Sequence, residues 1–240
     1  FNGGGLYGIP LFGGALIAVG ALIGLKLLTY IREKDFGAFS RLGMLTVVAL
    51  VASLLANAYF IVPAYMRIRS GSAPDVSSVG GVSGIISWAD EISANASFLN
   101  LLRLQGIPEW YDNPEHPYAK IILTHPAFIA ISFLWPLLVL LSLLVTKRTK
   151  NYRIVMYFFV VYLIGLFFTA GTHSPLGFLY QFFVEKIPGF IIFRSPYFKF
   201  APTIFLATAY LVAYLVDSVS RRFRIAAFVP LMVIVFVYHY

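Results

Sequence analysis

Apolar residues in this chain fill whole stretches of about twenty positions, and short charged breaks separate the stretches. Neither a two-residue alternation nor a single apolar helical stripe describes them. A run of ~20 apolar residues matches the ~30 Å hydrocarbon layer of a bilayer. The pattern predicts six membrane spans, at about 7–30, 43–65, 124–146, 152–170, 201–219 and 225–240. Between the second and third lies a long segment, 66–123, and between the fourth and fifth a shorter one, 171–200.

Basic residues then assign the sides. Arg32, Lys34 and Arg41 fall in one connection, Lys147, Arg148, Lys150 and Arg153 in another, and Arg221, Arg222 and Arg224 in a third. If spans alternate, all three connections share one side, and the positive-inside rule makes that side cytoplasmic. The N-terminus and the segments 66–123 and 171–200 are then expected to be extracytoplasmic.

Segment 66–123 opens with "RSGSAPDVSSVGGVSG", a Ser- and Gly-rich stretch that predicts irregular loop. Phe98, Leu99, Leu101, Leu102 and Leu104 then predict a short helix ended by Gly106 and Pro108. Trp88, Trp110, Tyr111 and Tyr118 suit the membrane interface. Six acids lie in the segment (Asp75, Asp90, Glu91, Glu109, Asp112 and Glu115) against four cations, Arg67, Arg69, Arg103 and Lys120. Carboxylates beside aromatic rings can take a proton from a hydroxyl nucleophile or hold a divalent cation. The same acids serve as ordinary solvating charge. Asp90 and Glu91 are the candidate catalytic pair, and they stand equally well as helix-capping residues.

Segment 171–200 is apolar but broken by Pro175, by Glu185 and Lys186, and by Pro188 and Gly189. It is too short for two crossings, so a re-entrant or interfacial piece is expected. It ends in "FRSPYFKF", residues 193–200. Pro196 is placed to break the chain before the fifth span, and Pro202 suits that helix's first turn. Two cations at a helix N-terminus, Arg194 and Lys199, oppose the helix dipole, and a bound phosphate compensates both. Arg suits bidentate contact and Lys a point charge. Tyr197 is expected to line the lipid or sugar side, and His173 to donate to a phosphate or take a structural hydrogen bond. Simple contact of both cations with lipid headgroups is the competing reading.

Composition agrees with the spans. Of 240 residues, 60% are apolar and 12% charged, against roughly 25% charged in soluble domains. The net charge of +8 sits in the short connections rather than on a basic face, so no nucleic-acid partner is expected. Cysteine is absent, which removes disulfides and thiolate chemistry. No metal site is read from the histidines.

"PGFIIFRSPYFKF" resembles an Arg-x-Pro-aromatic-x-Lys-Phe signature of prokaryotic GT-C class glycosyltransferases, and is most similar to YfhO-like and arabinofuranosyltransferase-like membrane proteins. The resemblance carries over onto Arg194, Pro196, Lys199 and Phe200, the Pro and Phe as structural members. It implies an all-α polytopic GT-C-like fold in a prokaryotic plasma membrane. It also implies sugar transfer from a polyprenyl-phosphate donor to a glycan, lipid or protein acceptor on the outer face. The family's catalytic acid lies in a first outer loop near the N-terminus. Since this chain opens "FNGGGLYGIP", the expectation is a single module, 1–240, of a longer protein that holds that acid elsewhere. A lipid or solute transporter, with Asn57 as its mid-span polar residue, and a non-catalytic membrane scaffold are the other readings of the same residues.

Overall fold

The computed structural model describes residues 13–56, 58–69, 81–112, 117–146, 151–187 and 189–223. Every regular element among them is helical. Helices α1 (Gly13–Arg32) and α2 (Phe36–Ala56) form a hairpin, followed by α3 (Ala58–Arg69). Four short helices come next: α4 (Gly81–Ser93), α5 (Phe98–Leu102), α6 (Glu109–Asp112) and α7 (Pro117–Thr124). Helices α8 (Pro126–Ser132) and α9 (Leu134–Thr146) run in sequence, then α10 (Tyr152–Ala170) and α11 (Gly177–Lys186). A 3-10 turn at Phe190–Phe193 leads into α12 (Pro196–Phe223).

Five helical stretches are long and apolar enough to cross a membrane: α1, α2, the α8–α9 pair, α10 and α12 up to Val219. The chain is therefore all-α and consistent with an integral, polytopic membrane protein. The sixth expected span, 225–240, lies outside the described residues, as do Asn57 and residues 7–12 of the first.

The boundaries moved where a local signal outweighed the apolar run. The second span begins at Phe36 rather than near 43, because the charged loop shrinks to residues 33–35. Lys34 turns the chain at φ 57°, and the Asp35 carboxylate accepts from the Ala38 N–H at 3.0 Å, satisfying a free donor of the new helix. The fifth span begins at Pro196, not 201. A first-turn proline needs no N–H partner and arrives with helical φ already set. Pro202 consequently lies inside α12 rather than in its first turn.

The core is the antiparallel pair α10 and α12. Phe158 stacks on Tyr210 with centroids 3.8 Å apart, and Phe168 stacks on Phe200 at 4.9 Å. Between these two stacks Gly165 lets the backbones close in, for a Cβ there would stand 3.2 Å from the Ile204 backbone nitrogen. Small residues at a crossing give membrane helices their dispersion contact. Helix α1 runs parallel to α12, since Gly13 faces Phe193 and Gly14 faces Thr203. The Tyr157 hydroxyl latches α1 by donating to the Ala18 carbonyl. Burial falls steeply outward, from 44% of the α12 window to none of the α2 window. An apolar helix bathed in lipid tails needs no protein cover.

Helix α4 packs on α11 and on α12, and α5 packs on α10. Gly171 ends α10 at φ 56°, and a Cβ there would lie 2.4 Å from both Pro196 Cγ and Ser93 Oγ. The Ser93 hydroxyl accepts from the Thr172 N–H at 3.3 Å. Three segments distant in sequence therefore share one closely packed point. Gly171→Ala, which adds both the clash and the disfavoured φ, is expected to cost about 3 kcal/mol. Gly20→Ala, at a position with nothing within 4 Å, is expected to be neutral or slightly stabilising. Thermal denaturation of the two variants in detergent checks the contrast.

Candidate functional site

The string "FRSPYFKF" folds as a turn, a proline and a helix start. Gly189 takes the left-handed conformation, φ 81°, and begins the 3-10 turn. Arg194 closes that turn, its N–H bonding to the Ile191 carbonyl. Pro196, almost fully buried, is the first residue of α12. The rings are core rather than lining. Phe193 and Phe200 lie 5.0 Å apart in a cluster with Phe190, Phe168 and Tyr180. The Tyr180 hydroxyl donates to the Phe193 carbonyl, and burial pushes its phenol far above its ordinary pKa. Tyr197 is buried too, its ring against the backbone of Gly106 and edge-on to Phe198.

Both cations stay at this end of the bundle. Arg194 is half-buried just before α12. Lys199, in the first turn, is only 5% exposed. An ammonium so far out of water is an expensive arrangement, and such groups in membrane helices usually face protein or a wet cavity.

Helix α4 reaches across them. Its buried stripe, Ile85, Ala89, Ile92 and Ser93, faces α11 and α12. The Trp88 indole N–H donates to the Ser195 hydroxyl at 3.0 Å, so the acid-bearing segment and the cationic turn are joined directly. Asp90 and Glu91 are exposed, on the flanks that this stripe leaves free. They lie in the last turn of α4, where a carboxylate cannot cap. The following helix, α5, is capped instead by Ser97, which accepts from the Asn100 N–H at 3.2 Å.

Sequence reading passed over Arg103. It follows α5 and is 8% exposed. Its Nε–H donates to the Ser132 hydroxyl at 2.7 Å, and its guanidinium lies over the Phe133 ring at 5.2 Å. Burial raises the Tyr111 pKa, with the Arg103 charge pulling the other way. Tyr111 in turn donates to the Gln105 carbonyl at 2.8 Å. Leu104, at φ 59°, turns the chain inward here. The available signal was a lone arginine inside "LNLLRLQG", flanked by leucines rather than by acids.

His173 is half-buried two residues after Gly171, and its Nδ1–H donates to the Ser174 carbonyl at 2.7 Å. Among the described residues no three His, Asp or Glu side chains gather into a metal site.

Trp88→Phe and Ser195→Ala should each loosen the roof by about 1 kcal/mol, and the double variant should cost no more than either single one. Hydrogen exchange of the 190–199 amides reads this non-additivity. No family model, no curated protein and no solved structure matches this chain.

Proposed function

We propose that the end of the bundle where α12 begins binds a lipid-linked phosphate, and that the protein transfers a sugar from it as a GT-C type glycosyltransferase. The observation that carries this reading is the burial of Lys199, 5% exposed, five residues from Arg194 at the mouth of the most protein-enclosed span. A cation is kept out of water to advantage where it meets an anion, because a Coulombic contact strengthens as the dielectric falls. Lys199 supplies a point charge and Arg194 a planar fork for phosphate oxygens.

The same end carries α4, so the donor phosphate and the Asp90 and Glu91 carboxylates share one side of the membrane. In the proposed reaction one of these carboxylates takes the proton of an acceptor hydroxyl. The oxygen attacks the anomeric carbon as the bond to the donor phosphate breaks. Arg194 and Lys199 stabilise the charge that develops on the leaving phosphate. Charge placement supports an extracytoplasmic site. Arg32, Lys34, Arg41 and Arg153 lie at the opposite end of the bundle, and the positive-inside rule assigns that end to the cytoplasm.

The test is affinity for a polyprenyl-phosphate sugar in the intact protein. Arg194→Lys keeps the charge and loses the fork, so affinity should fall about tenfold or more, and Arg194→Ala further still. Equal affinities for wild type and both variants would sink the reading. Asp90→Asn or Glu91→Gln should abolish transfer with donor affinity intact.

A further inference from the structure

We propose that α11 lies in the membrane surface at the end of the bundle where α12 begins, with Leu179 and Phe182 seated among the acyl chains of phospholipids. The helix has ten residues, about 15 Å of rise, which is too short to cross a bilayer. It enters and leaves at one end of the bundle. The chain reaches it from the end of α10 and goes on to the start of α12, and those two termini meet where Gly171 faces Pro196. Helices α10 and α12 are both long and apolar enough to span. Their shared end therefore puts α11 at the level where hydrocarbon gives way to headgroups.

Three faces of α11 fix its rotation. Gly177, Tyr180 and Val184 are buried, and the helix packs on α4. Phe183 packs on Phe167 and Phe168 in the last turn of α10, with centroids 6.5 and 5.8 Å apart. That side looks back along the span. Gln181 and Glu185 each stand two positions from Phe183, about 160° around the helix, so they point away from the hydrocarbon. Phe178, Leu179 and Phe182 fill the remaining arc, turned away from Val184. Phe178 and Phe182 are 63% and 52% exposed.

Continuity says what covers this arc. On α10, Ile164, Leu163 and Val160 stand three, four and seven positions before Phe167, on its face of the helix, and all three are exposed along the span. Lipid tails cover that surface, and through Phe167 and Phe183 it runs on to Leu179 and Phe182. An apolar arc beside a polar edge is what a helix lying in the interface presents. Lys186 falls on the same arc, exposed in the last turn, and its long stem lets the ammonium reach lipid phosphates. The Tyr180 hydroxyl, on the buried face, donates to the Phe193 carbonyl, so the turn that carries Arg194 is tied to the helix seated on lipid.

The experiment needs no donor or sugar, so it stands apart from the proposed function. The chain has no cysteine, and a single introduced cysteine therefore takes a spin label at one place only. Leu179→Cys, Phe182→Cys, Gln181→Cys, Glu185→Cys and, on α10, Val160→Cys are each labelled in the intact protein in phosphatidylcholine nanodiscs. Relaxation by oxygen, which enters the acyl chains, is compared with relaxation by a nickel chelate, which stays in water. The oxygen-to-nickel ratio at Leu179 and Phe182 should exceed that at Gln181 and Glu185 by roughly threefold or more, and fall below that at Val160, as for a face ~5–10 Å into the headgroup and acyl boundary. Phe178→Cys, on the same arc, serves where either of the first two variants fails to fold. The proposal is overturned if Leu179 and Phe182 match Gln181 and Glu185, which puts the arc in water. It is equally overturned if they match Val160, which makes α11 re-entrant. Closure to both reagents also overturns it, because protein then covers the arc, and dipolar broadening between labels identifies a second copy as that cover.

Discussion

The antiparallel contact between α10 and α12 is the constraint on which the rest depends. In lipid there is no hydrophobic force between helices, so association rests on close packing and on polar contacts. This pair obtains the packing from two ring stacks, Phe158 on Tyr210 and Phe168 on Phe200, with Gly165 between them. Once those are in register, the C-terminus of α10 must lie beside the N-terminus of α12. Gly171, Pro196 and Ser93 then meet at one point because nothing larger than a glycine fits there.

From that point the candidate site follows mechanically. Phe200 belongs to the core pair and to the aromatic cluster at once, so the 3-10 turn that carries Phe193 is drawn onto the bundle. Arg194 and Lys199 lie between Phe193 and Phe200, and the packing of those two rings sets where the cations stand. The roof is held in the same manner, through Trp88 to Ser195 and Gly106 beneath Tyr197. Packed aromatics hold both cations in fixed positions, and under the proposed function that rigidity would lower the entropic cost of binding. This accounts for so many rings beside two cations.

The cationic end is also unlike the other end in kind. One side of the bundle offers simple turns such as 33–35, capped by a carboxylate and exposed. The other buries Lys199, Arg103 and Gln105 among helices shorter than a span. Buried polar groups are costly wherever they occur, and more so where water is scarce. Among the described residues Ser142 and Thr146 are buried towards the other end, but the buried lysine, arginine and glutamine all lie at this one.

The sequence by itself determined the helical membrane class of the molecule and the approximate position of five spans, because apolar run length is a one-dimensional property that a bilayer reads directly. It also marked the turn at 193–200, where prolines, rings and charges are adjacent in the chain. Helix starts were less legible. The weak local signals at Asp35 and Pro196 compete with long apolar runs that continue on both sides. Only tertiary structure decided that Tyr197 packs against Gly106, and that the rings of "FRSPYFKF" are core. It alone turned Asp90 and Glu91 outward while Ser93 went inward. It also raised Arg103 from one cation in a loop to a buried charge, since its burial comes from Ser132 and Phe133, some thirty residues away. Burial of a polar side chain is a property of what packs over it, and for these residues the cover comes from parts of the chain that no local pattern connects.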